Sequence, residues 1–165
     1  MPAHSADVLR GAMAGAIATW AMDLVTTGMI EGQSADVTKR ETIASPNGQS
    51  AIANLVDRLD RGLALKLSKP AKANAAQAIH YGLGVGPGAV YALASRRSSK
   101  VGLGQGLAFG LALWLVNDEY LNTRLGLAGP WASYPIQTHW RGLVGHAVLG
   151  VATNAGVRVL GGRSA

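Results

Sequence analysis

Long stretches without charge alternate along the chain with short charged ones. No formal charge falls in the 23 residues from Ala73 to Ser95, the 17 from Val101 to Asn117 or the 16 from Gly142 to Val157. Near the start, Gly11 to Ile30 is interrupted only by Asp23. A hydrocarbon core of roughly 30 Å is crossed by about 20 mainly apolar helical residues. The pattern therefore predicts an all-α polytopic membrane protein. Its four transmembrane helices lie at about 8–30, 74–95, 101–118 and 138–160, in a single domain over 1–165. The 31–73 connection stays outside the bilayer. Within it Ile52, Leu55, Val56, Leu59, Leu63 and Leu67 recur at helical spacing, with Asp57, Arg58, Asp60 and Arg61 on the intervening face. That predicts an amphipathic helix on the membrane surface or capping the bundle. A soluble Gly/Ala-rich bundle is the competing reading. The first segment does not read as a signal peptide, because its charged start is weak and Asp23 interrupts a long apolar stretch.

Composition supports this picture. Hydrophobic residues make up 48% of the chain and charged ones 15%, below the quarter usual in soluble domains. Intrinsic disorder is excluded by that balance. With 22 glycines and one phenylalanine the apolar content is diluted, and mean hydropathy is only +0.18. No cysteine is present, which removes disulfides, thiol nucleophiles and Cys-based metal centres. The net charge of +6 is explained by placement. Arg96, Arg97 and Lys100 fill the short second loop, and Arg10, Arg158 and Arg163 belong to the same side of a four-helix bundle. By the positive-inside rule that side, with both termini, faces the cytoplasm. Trp114, Tyr120, Trp131, Tyr134 and Trp140 gather near the opposite interface as an aromatic belt. No basic patch interleaved with aromatics points to nucleic acid; the expected partner is the lipid bilayer, with a homo-oligomer or larger membrane complex left open.

Small residues recur every fourth position. Gly11, Gly15, Thr19 and Asp23 form one such row, and Ala76, His80, Gly84, Gly88 and Ala92 a second. Gly102, Gly106, Gly110, Trp114 and Asp118 form the third, and Gly142, His146, Gly150 and Asn154 the fourth. Such rows let helix backbones approach closely in lipid, where packing drives association. Asp23, His80, Asp118 and His146 then point into the bundle. At 1.5 Å per residue these four, with Glu119 and His139 at the mouth, fall in the non-cytoplasmic half. Intramembrane charge is costly and marks proton paths, ion sites or substrate sites. A faint repeat pairs Gly15, Trp20 and Asp23 with Gly110, Trp114 and Asp118, and the run from His80 with the run from His139, as in two hairpins of one polarity.

The runs Gly15-Ala16-Ile17-Ala18-Thr19-Trp20-Ala21-Met22-Asp23, Ala78-Ile79-His80-Tyr81-Gly82, Leu113-Trp114-Leu115-Val116-Asn117-Asp118-Glu119 and His139-Trp140-Arg141-Gly142-Leu143-Val144-Gly145-His146 resemble the YagU-like bacterial inner-membrane proteins. The resemblance covers all four expected helices. It implies a polytopic inner-membrane protein with a suggested role in acid tolerance, and it carries over no catalytic residue.

Three chemistries suit the polar residues. His80 and His146, with Asp23 and Asp118, could ligate a divalent metal or give haem two axial imidazoles, although neither cofactor is required. The same groups could form a proton- or ion-handling layer, since histidine titrates near neutrality. Asp–His pairs could also simply knit helices together in an accessory subunit of a larger complex. His4 reads as incidental. Enzymatic activity is not expected. No nucleophile elbow is present, Gly86-Pro87-Gly88 reads as a helix break, and the repeated glycines lack the strand that a dinucleotide site requires.

Overall fold

The computed structural model describes residues 3–161, so Arg163 lies outside the described residues. Every regular element among them is helical. The elements are α1 (Ala3–Glu31), α2 (Ala35–Ala44), α3 (Ala51–Gly62), α4 (Lys69–Ser95), α5 (Leu107–Leu113), α6 (Asn122–Arg124) and α7 (Ile136–Val159). A π-helical stretch, Trp114–Leu121, joins α5 to α6 without leaving helical backbone angles. Ser34, Ser50 and Ser68 start α2, α3 and α4 by accepting the amides of Val37, Ala53 and Ala71, which satisfies orphan donors of the first turn.

Small residues set the packing. The Gly11 and Gly15 face of α1 lies on Gly88 and Gly84 of α4, close enough that a Cβ at any of the four would strike backbone. Another face of α1 meets α7, with Ala14 against Gly156 and Met22 and Thr26 against Gly145. Gly106 and Gly110 meet Gly150 and the His146 carbonyl of α7. Neighbours therefore run antiparallel: α1 packs on α4 and α7, α5 packs on α7, and Tyr91 of α4 meets Phe109 of α5 with ring centroids 4.8 Å apart. The two hairpins cross alike, but position 84 corresponds to 146. The sequence repeat had instead set His80 against His139, so its register is corrected here.

The interior mixes small and polar residues with larger apolar ones: Ala14, Ala18, Thr19, Ser95, Thr153 and Asn154 are buried beside Tyr91, Leu149 and Val157. Leu9, Met13, Ile17, Trp20 and Leu24 form the outer stripe of α1 and are 47–57% exposed. Thr19 and Thr153 return their hydroxyls to the carbonyls of Gly15 and Leu149, and Tyr91 donates to Asn154 Oδ1 at 2.8 Å. Among the described residues one helix, His4–Glu31, is long and apolar enough to cross a membrane by length and composition.

Several expectations change. The third apolar segment begins its α-helix at Leu107 rather than at 101, and its helical arm continues to Arg124. Before it, residues 99–106 form tight turns in which Gly104, Gln105 and Gly106 have φ of 61°, 56° and 92°. Left-handed backbone favours glycine, so Gly104 and Gly106 serve a reversal of the chain. Gly86-Pro87-Gly88 does not break α4, which runs through Pro87. The amphipathic stripe stops at Gly62, leaving Leu63 65% exposed; Leu67 folds back so that its amide donates to Asp60 Oδ1 at 2.9 Å. Helix α2 was not foreseen, because Val37 is its one buried residue and no apolar stripe marks it.

Candidate functional site

The antiparallel crossings bring positions 19–26, 80, 114–119 and 139–146 to one end of the bundle. There three carboxylates meet three imidazoles. His80 on α4 donates from Nε2 to Asp23 Oδ1 on α1 at 2.7 Å. His146 on α7 donates from Nδ1 to the Gly142 carbonyl at 3.0 Å, and the same nitrogen lies 3.6 Å from Asp118 Oδ2. His139 places Nδ1 2.8 Å from Glu119 Oε1 and Nε2 3.2 Å from the Trp131 carbonyl. Both of those partners accept, so the pair holds a proton: an imidazolium beside an ionised Glu119, or a neutral ring beside a protonated one.

All six residues singled out from the sequence therefore join a pair, and each pair links two elements. Their depths are corrected. Glu119 and His139, expected at the mouth, have side chains only 12% and 10% exposed, whereas Asp23 and His80 are 34% and 27% exposed. The buried pair is closed over by Trp131, whose ring lies 4.6 Å from that of His139. The π-helical stretch places Asn117, Asp118 and Glu119 in succession, and Asn117 Nδ2 donates to Asp118 Oδ1 at 2.8 Å. An extra residue in a helical turn re-aims side chains in this way, frequently at functional sites.

Two adjoining cavities share Asp118 and Asn122 in their walls. The first, about 380 Å³, is lined by His80, Asp118, His146, Asn117 and Thr19 on its polar side, and by Leu83, Leu121, Leu149, Ile52 and Leu55 on its apolar side. The second, about 210 Å³, holds Glu119, His139, Trp114 and Tyr134. Trp114 and Tyr134 thus leave the expected aromatic belt for the interior, while Tyr120, Trp131 and Trp140 stay more than half exposed. Gly142 makes room for the Trp114 indole, whose buried N–H finds no partner among the described residues. His80, His146, Asp23 and Asp118 form two pairs rather than one ligand set, and among the described residues no three His, Asp or Glu groups converge as a metal site would require.

A cap formed by α2 and α3 covers this end, held by contacts the sequence did not disclose. Glu41 on α2 pairs with Arg141 on α7 at 2.9 Å and accepts from Gln33 at 2.8 Å and from Thr138. Burial would raise the Glu41 carboxyl, but the hydrogen bonds from Thr138, Gln33 and Arg141 outweigh it and hold the group below its ordinary value. On α3, buried Asn54 donates to the carbonyls of Pro46 and Leu127, both at 3.0 Å. Lys72 bridges Asp57 and Asp60, each at 2.8 Å, tying α3 to α4. The Lys72 ammonium lowers Asp57. The Leu67 amide, then Lys72, lowers Asp60, and the two carboxylates in turn raise Lys72.

At the far end Asp7 is 2% exposed and pairs with Arg10 at 3.3 Å and with Arg96. Its position in the first turns of α1 hid it from a search for charges inside apolar runs. Compared with protein-family models, with curated proteins and with solved structures, the chain matches none.

Proposed function

We propose that this chain is an integral protein of a bacterial inner membrane, crossing it with α1, α4, the arm over residues 107–124 and α7. Its Asp/His layer takes up protons from the non-cytoplasmic side, in keeping with the resemblance to YagU-like proteins and their suggested link to acid tolerance. The outward apolar stripe of Leu9, Met13, Ile17, Trp20 and Leu24 on α1 and the glycine-lined helix crossings support the membrane reading, since close packing at small residues drives helix association in lipid. The observation that carries the functional reading is the set of three carboxylate–imidazole pairs around capped cavities at one level. Within a low-dielectric bundle such pairs exchange protons between close atoms, and imidazole titrates in the range a bacterial exterior crosses on acidification. The Arg96-Arg97 end faces the cytoplasm on this reading, and the cap faces outward.

Two measurements test it. A cysteine at Ser133 should react with a membrane-impermeant thiol reagent in intact cells while one at Ser98 is protected; the reverse would overturn the orientation. In proteoliposomes carrying a pH-sensitive dye, external acid should drive proton entry above that of empty vesicles. Asp23→Asn and His80→Gln should each lower the rate at least about tenfold, the scale of one lost charge-assisted contact. Wild-type vesicles no leakier than empty ones would sink proton uptake. Subunits co-purifying at fixed ratio would then favour an accessory scaffold.

A further inference from the structure

The end of the bundle opposite the Asp/His layer collects positive charge around a third cavity. Arg10, Arg96, Arg97, Lys100 and Arg158 lie there with one acidic residue, Asp7. That carboxylate is buried and already engaged by Arg10 and Arg96. Next to the pair, a cavity of about 480 Å³ opens between the start of α1 and the end of α4, lined by His4, Ser5, Val8, Leu93, Arg96 and Arg97. Arg96 meets Asp7 through Nε, and its side chain stays 34% exposed. Arg97 is exposed and forms no ion pair among them. A neutralised floor beneath two guanidinium groups gives the cavity a net positive rim.

Its walls are not those of a site for a free anion. Val8 is 41% exposed, and Leu93 is followed one turn deeper along α4 by Val90, 63% exposed. Guanidinium forks match phosphate oxygens bidentately, and exposed aliphatic side chains suit acyl chains. Placing Arg96 and Arg97 at the C-terminal end of α4 also favours that helix's dipole. The dipole accounts for the charges but not for the cavity or its apolar continuation.

We infer that this groove binds an anionic glycerophospholipid, its phosphate held by Arg96 and Arg97 and its chains running along Val8, Leu93 and Val90. Basic pockets between membrane helices on the cytoplasmic side bind anionic head groups in this manner. The inference rests on the membrane reading, and it would fix α1 against α4 at the end away from the cap.

The full chain, extracted in mild detergent, tests it by thermal unfolding with added lipid. Phosphatidylglycerol should raise Tm by about 5 °C, the scale expected when a ligand saturates a single native-state site. Phosphatidylcholine and inorganic phosphate should not. Arg97→Gln should remove at least half of that shift, whereas Arg58→Gln, at the cap end, should keep it. Equal shifts from both lipids, a shift from phosphate alone, or an undiminished response in the Arg97 variant would each overturn the site. Alkaline carbonate washing separates the two readings. A chain that stays in the membrane but ignores phosphatidylglycerol loses only this site, whereas a chain that washes off loses the membrane reading as well.

Discussion

Gly88→Leu is expected to destabilise the protein by roughly 3 kcal/mol, the upper part of the range for forced overpacking. A Cβ at position 88 would meet the Gly11 carbonyl and then the backbone of Gly15 at 2.8 Å. Neither is the flexible end of a side chain, so α1 and α4 must separate. Separation would also stretch the 2.7 Å Asp23–His80 contact two turns further along the same crossing. Gly82→Leu is the control, because a Cβ there meets nothing within 4 Å, and its effect should stay within about 0.5 kcal/mol. Gly106→Ala should fall between them. Its φ of 92° disfavours any side chain, and the added carbon meets the Gly150 carbonyl. Denaturation in detergent would decide the matter, and equal stabilities at positions 82 and 88 would refute the crossing.

The second large effect is the acid lability of the cap. Glu41 titrates below its ordinary value in the folded protein. A depressed carboxyl contributes stability above its unfolded pKa of about 4.5, and that contribution is lost as pH falls through the folded value. Asp57 and Asp60 shift in the same direction, so the tie from α3 to Lys72 weakens in the same window. Lys72, being raised, keeps its contribution until pH rises through its folded value, far above that range. Protection of α2 amides, measured relative to intrinsic exchange, should therefore be high at neutral pH and fall below about pH 4. Glu41→Leu leaves Arg141 facing an apolar group in a half-buried site and should free α2 even at neutral pH, at a cost of about 2–3 kcal/mol. Protection of α2 that is identical at pH 7 and pH 3.5 would dismiss the mechanism. On the functional reading proposed above, acid loosens the cover of the cavities that hold the Asp/His layer.

Periodicity told which residues face inward and roughly how deep they lie. That sufficed for the glycine crossings on α1, α4 and α7 and for the meeting of Asp23 with His80, because antiparallel neighbours of known depth have few other ways to pair. It could not report where helical geometry fails. In residues 99–106 the apolar pattern continues while three successive left-handed residues reverse the chain. From Trp114 to Leu121 the π-helical turn rotates Glu119 inward to His139, which a strict 3.6-residue reading leaves at the rim.

What the sequence determined alone is the all-helical class, the small-residue faces and the six ionisable groups at one end, since each follows from spacing along a single segment. Tertiary structure decided the register of the two hairpins, the cap joined by Glu41 to Arg141 across 100 residues of chain, and the Asp7–Arg96 pair at the other end. These contacts join segments distant in sequence through polar side chains that carry no periodic signal. Their partners were therefore selected by which surfaces the glycine crossings brought together.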